Sequence, residues 1–72
     1  MNPAEVLRTI WDLEEDWQVL WLRRGELVMS PGNSERWAVR VEMAAISRTQ
    51  AMLADRAEIR HGLPRHVVTV IR

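Results

Sequence analysis

The sequence predicts a small α+β domain, and three observations carry that expectation. Asn2-Pro3-Ala4-Glu5 reads as a capped helix start, residues 17–22 and 27–30 read as two strands around Gly25, and residues 34–60 read as one long helix closed by Gly62 and Pro64. The expected order is helix, β-hairpin, long helix and a short C-terminal strand.

The first helix has a clear beginning. An asparagine side chain accepts a hydrogen bond from the free N–H groups of a first turn. Proline fits the next position, where its missing N–H has no partner to lose, and Glu5 stands three after Asn2 as in a capping box. Val6, Leu7, Ile10, Trp11 and Leu13 then recur at three- and four-residue spacing. Asp12, Glu14, Glu15 and Asp16 crowd the far end, where acid opposes the helix dipole, so the helix is expected to stop near residue 15.

The hairpin is read from composition and punctuation. Trp17-Gln18-Val19-Leu20-Trp21-Leu22 and Leu27-Val28-Met29-Ser30 are rich in β-branched, aromatic and other apolar residues, with Arg23-Arg24-Gly25-Glu26 between them and Pro31-Gly32 after them. Gly25 would supply the positive φ of a two-residue turn. In that register Leu20, Leu22, Leu27 and Met29 share one face, and Trp17, Val19, Trp21 and Val28 share the other. Both faces are apolar, and the strand at 27–30 has an edge that a partner peptide could extend.

In the long helix, Val39, Met43, Ile46, Leu53 and Ala57 follow a four-three pattern in which Gln50 is the one polar member. Trp37, Val41, Ala44 and Ile59 lie further round. The length leaves a break near Ser47 open, and Gly62 is expected at the C-cap with Pro64 beyond it. The tail, His66-Val67-Val68-Thr69-Val70-Ile71-Arg72, is rich in β-branched residues and reads as a strand, either joining the hairpin or pairing with a second copy. Residues 1–60 thus form a helix-hairpin-helix module and residues 61–72 a hinge and strand-like tail.

Composition excludes more than it selects. A 72-residue chain is one domain. It buries only about 60% of the surface its unfolded form exposes, and such domains usually need a staple. There is no cysteine, which removes disulfides and thiolate metal sites and fits a reducing cytoplasm. His61 and His66 are the only histidines, and two histidines without cysteine make a poor zinc set, so no metal and no cofactor are expected. Oligomerisation is the staple that remains, and a homodimer is expected.

Net charge is zero, which argues against bulk attraction to nucleic acid. Even so, residues 1–16 are acidic, and Arg60, Arg65 and Arg72 make the far end basic. No apolar run approaches the roughly 20 residues of a membrane span, and the first five residues lack the basic and apolar regions of a signal peptide. No serine lies near a histidine and a carboxylate in sequence, and the acidic cluster lacks the spacing of a calcium loop, so no enzyme is expected.

The stretches Asn2-Pro3-Ala4-Glu5-Val6-Leu7 and 19–31, with a glycine turn and a closing proline, resemble the N-terminal docking domains of the TubC type, from non-ribosomal peptide and polyketide assembly lines. The resemblance covers residues 2–31 and, more loosely, 32–58. It implies docking of another protein's terminal segment along the second hairpin strand, with Arg23 and Arg24 meeting acidic residues. It departs from the family in having Asp16-Trp17 where a glycine usually precedes the first strand, and in its single long helix.

The expected function is a non-enzymatic docking or adaptor module. Its expected partner-binding residues are Trp17, Val19, Trp21, Arg23, Arg24, Leu27, Val28, Met29 and Ser30. Two alternatives stand beside it: a free-standing regulator from a phage or other mobile element that inhibits or recruits a larger machine, and a small nucleic-acid-binding protein using the basic tail. The four tryptophans, Trp11, Trp17, Trp21 and Trp37, serve either a small core or a binding surface.

Overall fold

Positions 6, 10, 13, 17, 20, 24 and 27 step by four and three residues, a repeat that keeps to one side of a helix. The computed structural model describes residues 2–27 and 34–72, and in it α1 follows that repeat without interruption over Pro3–Glu26. Val6 and Ile10 are buried, and Leu13, Trp17, Leu20, Arg24 and Leu27 are half-buried along the same side. The start is the capped one that the sequence describes. The Glu5 backbone N–H donates to Asn2 Oδ1 at 2.8 Å, and Asn2 Nδ2 donates to Glu5 Oε1 at 3.1 Å.

The expected α+β class is corrected to an all-helical one: among the described residues there is no strand, and the order is α1, then α2 over Ser34–His61, then a single turn α3 over Arg65–Val68. The β-hairpin does not form. Residues 17–22, expected as its first strand, are helical, and Leu27 is the α1 C-cap. Val28, Met29 and Ser30 lie outside the described residues. Strand preferences span only about 1 kcal/mol and yield to packing, and here helix lets one continuous side of the chain face α2. The acidic cluster does not end α1 because Glu14 has partners: it accepts from Gln18 Nε2 at 2.8 Å, one turn on, and from α2 and the tail. Gly25 sits in the last helical turn, and Gly62 is the only described glycine with positive φ.

α2 runs 28 residues without the break that its length left open. At 1.5 Å per residue that is about 42 Å, and it sets the long dimension of a 47 × 17 × 14 Å rod. Its inner side is the four-three series read from sequence: Val39, Met43, Gln50 and Ala57 are buried, and Ile46 and Leu53 half-buried. The helices are antiparallel. Gln50 Nε2 donates to the Ile10 carbonyl at 3.1 Å, and Arg23, near the end of α1, pairs with Glu35 in the first turn of α2.

Gly62, at φ +63°, ends α2 in the left-handed conformation, its N–H donating to the Glu58 carbonyl at 3.1 Å. This turns the chain back on itself. The expected C-terminal strand is corrected to α3 and an irregular segment over residues 69–72. The tail needs no strand partner because it has helix sides to lie on: Val68 is buried with Val6, Ile10, Ala54 and Ala57, and Leu63 and Val70 pack against that cluster. Ala54 and Ala57 are small, and the space they leave beside α1 is where the valines enter.

Gly25→Ala is expected to raise stability by about 0.5–1 kcal/mol, since alanine is the better helix former and an added Cβ meets nothing within 4 Å. Gly62→Ala is expected to lower it by about 1 kcal/mol, through the left-handed φ. Urea titrations of both variants check this; a hairpin turn at Gly25 would reverse the first sign.

Candidate functional site

A helix in a two-helix layer buries one side, and α2 is apolar on two. Positions 37, 41, 44, 48, 52, 55 and 59 step 4-3-4 and again 4-3-4, an eleven-residue repeat. Eleven residues in three turns is 3.67 per turn, close to the 3.6 of a straight helix, so the series runs along one side with little drift. That side faces away from α1. Trp37 is 63% exposed, Val41 47%, Met52 55% and Ile59 84%, with Ala44 exposed between them. Two charged side chains interrupt the stripe, Arg48 and Asp55, both exposed. Asp55 Oδ1 accepts from Arg65 Nη2 at 2.7 Å, whereas Arg48 has no ion-pair partner among the described residues. The Arg40 guanidinium lies 5.9 Å from the Trp37 ring centroid, at the outer limit of a cation–π contact.

The expected partner-binding residues are dispersed by the helix. Val19 and Trp21 are exposed on α1. Trp17 is half-buried under the tail, and Arg23 is paired with Glu35. Leu27 is half-buried at the α1 C-cap. Trp21 and Arg24 do come together. With Leu22, Gly25 and Arg36 they line a cleft of about 330 Å³ at the end of the rod where α1 stops and α2 starts. The Nε atoms of Arg24 and Arg36 are buried without an acceptor among the described residues. Trp11, Trp21 and Trp37 are all exposed, so three of the four indoles lie on the surface.

A polar cluster centred on Arg72 holds the tail. The Arg72 guanidinium stacks 4.0 Å from the Trp17 ring centroid. Its edges donate to Glu14 Oε1 from Nε at 3.1 Å, to Ser47 Oγ from Nη1 at 3.2 Å, and to Gln50 Oε1 from Nη2 at 2.6 Å. Gln50, the polar member of the α2 seam, closes the circuit by donating to Glu14 Oε1 at 3.2 Å. Burial pushes the Glu14 carboxyl up, but hydrogen bonds from Gln18, Arg72 and Gln50 and the charge of Arg72 together outweigh it and hold it below the usual carboxylate range. This cluster has no local sequence signal, because Arg72 and Glu14 are 58 residues apart.

The basic end of the chain is largely neutralised within the fold. Arg72 pairs with Glu14, and Arg65 with Asp55 and Glu58. Among the described residues no three His, Asp or Glu side chains gather to hold a metal ion, and no helix is long and apolar enough to cross a membrane. No family model, curated protein or solved structure matches the chain.

Folding lowers the affinity of Glu14 for its proton, so its contribution to stability is present above the ordinary carboxylate range and is lost as pH falls through the lower folded value. Glu14→Gln is expected to cost about 1–2 kcal/mol at neutral pH, as for a hydrogen bond to a charged group, and less as the medium is acidified. Denaturation of both proteins between neutral pH and pH 3 measures the gap; a gap that stays constant in acid would remove Glu14 from the tail anchor.

Proposed function

We propose that this chain is a non-enzymatic protein-interaction module that receives a partner along the outer side of α2. The observation that supports this is the unpartnered stripe Trp37, Val41, Met52 and Ile59, on a helix whose other side is already covered. Scattered exposed apolar residues are ordinary on small proteins; a row in helical register along most of a helix is the form that helix-in-groove and helix-on-helix contacts use. Tryptophan at one end supplies the kind of large, partly desolvated anchor on which interface energies concentrate. Docking in this reading is by side chains on a helix, because the hairpin edge of the expected strand-addition mode does not form. A cytoplasmic setting goes with the cysteine-free sequence.

The reading is tested by placing a photo-crosslinking amino acid at Met52 or Ile59, and at Gln18 on α1 as a control, in the native host. Protein adducts are expected from the two α2 positions, copies of the chain itself included, and not from Gln18. Met52→Asp with Ile59→Asp is expected to abolish association while leaving the helical circular dichroism and the unfolding midpoint within error. Absence of any protein adduct from the stripe, or loss of folding in the double variant, overturns the reading.

A further inference from the structure

We infer that the occupant of the outer α2 stripe is a second copy of this chain, docked antiparallel about a two-fold axis between Ala51 and Met52. The inference rests on the proposed use of that stripe and goes further by naming the partner and its register.

Charge placement selects the arrangement. The stripe carries one cation, Arg48, and one anion, Asp55, seven residues apart. Two copies side by side in parallel set Arg48 against Arg48 and Asp55 against Asp55. Two antiparallel copies centred on residue 48 match the 4-3-4 spacings but put the two Arg48 side chains face to face on the axis and Val41 against Asp55. Moving the axis to the midpoint of 48 and 55 places each Arg48 opposite the partner's Asp55, twice over by symmetry. Like charges directly opposed at an interface disfavour it, so this register is the one the charges favour. Asp55 is equipped for it: Arg65 occupies Oδ1 at 2.7 Å, and the other oxygen can take the incoming guanidinium.

Packing agrees with the charges in the same register. Ala44 meets Ile59, small against large, at both ends of the overlap. Met52 meets its own copy beside the axis, where a flexible thioether fills an irregular gap well. Val41 falls opposite Gly62, around which a built Cβ finds nothing within 4 Å, so the surface there is open. Trp37 falls beyond the last residue of the partner's α2, at the edge of the overlap. A second copy also supplies the staple that a 72-residue chain without disulfides lacks.

Sedimentation equilibrium of the full chain over a concentration series tests the inference, with circular dichroism to confirm folding. The wild type is expected to associate reversibly as a dimer. Arg48→Asp and Asp55→Arg are each expected to weaken it by roughly tenfold or more, and the double variant R48D/D55R to recover roughly tenfold over Asp55→Arg alone, the comparison in which the loss of the Arg65 contact is common to both. A cysteine is informative because the chain has none: Met52→Cys is expected to form a disulfide with its own copy on mild oxidation, and Ile59→Cys not to. A monomeric wild type, failure of the double variant to recover, or self-crosslinking of Ile59→Cys as readily as Met52→Cys overturns the inference. A monomer whose stripe still crosslinks to a different protein overturns the second copy alone and leaves the interaction reading in place.

Discussion

Two packed helices offer each other one side apiece, and nearly everything in this molecule follows from how three apolar surfaces are shared under that limit. α1 has one continuous seam, from Val6 to Leu27. α2 has two, an inner one through Val39, Met43, Gln50 and Ala57 and an outer one through Trp37, Val41, Met52 and Ile59. The inner seam of α2 takes α1. Among the described residues no element remains to take the outer one, because α3 and Val70 pack beside Ala54, Ala57 and α1. Apolar area left in water forfeits roughly 25 cal/mol for each Å² that contact would have hidden. The exposed stripe is thus a standing driving force for association in a chain whose core is thin.

A single buried polar side chain fixes the alignment of the parts. Gln50 is 94% removed from water by its 6% exposure, and all its partners come from elsewhere in the fold: the Ile10 carbonyl and Glu14 on α1, and Arg72 on the tail. Sliding α2 by one heptad along α1 would leave the apolar pattern intact, since both seams repeat every seven residues. It would also strand the amide away from those partners, at a cost of about 1–3 kcal/mol for an unsatisfied buried group. The apolar residues make the helices pack; Gln50 selects which of several equally apolar registers is adopted, as a polar seam residue does in coiled coils. Arg72, stacked on Trp17, carries the same selection to the tail.

The legible part of the sequence was whatever local chemistry decides. The Asn2-Pro3-Glu5 cap, the inner series of α2 and the Gly62 terminus are written in neighbouring residues, and the structure has all three. The second half of α1 was not legible in that way. Trp17, Val19 and Trp21 alternate as in a strand, but Trp17, Leu20, Arg24 and Leu27 also continue the heptad of Val6, Ile10 and Leu13. Extending that seam across the acidic residues 12–16 was the available signal. It was masked because acid looks like a helix end until Gln18, Gln50 and Arg72 are seen to hold Glu14, and Arg72 is far away in sequence. Of the expected surface residues, Trp21 and Arg24 share a cleft, while Trp17 is covered by the tail. The outer stripe was visible as apolar residues further round α2, but its exposure depends on how many layers the fold has, which spacing alone does not state.

Asp55 ties the tail to the outer face. One of its oxygens holds Arg65, which with Glu58 anchors α3 and so helps set Val68 in the core. In the inferred antiparallel pair, its other oxygen would receive the partner's Arg48. Ordering of the carboxylate by Arg65 lowers the rotational cost of a second contact, while the two guanidinium groups repel each other across it, so the two contacts would be linked through Asp55. Seating the tail and pairing the outer faces would then be linked through one side chain, although the two surfaces lie on different sides of α2. By reciprocity any such link would act with the same sign and size on α3 and on the pair. The segment after Gly62 would in this sense act on the proposed interface without lying on the stripe itself.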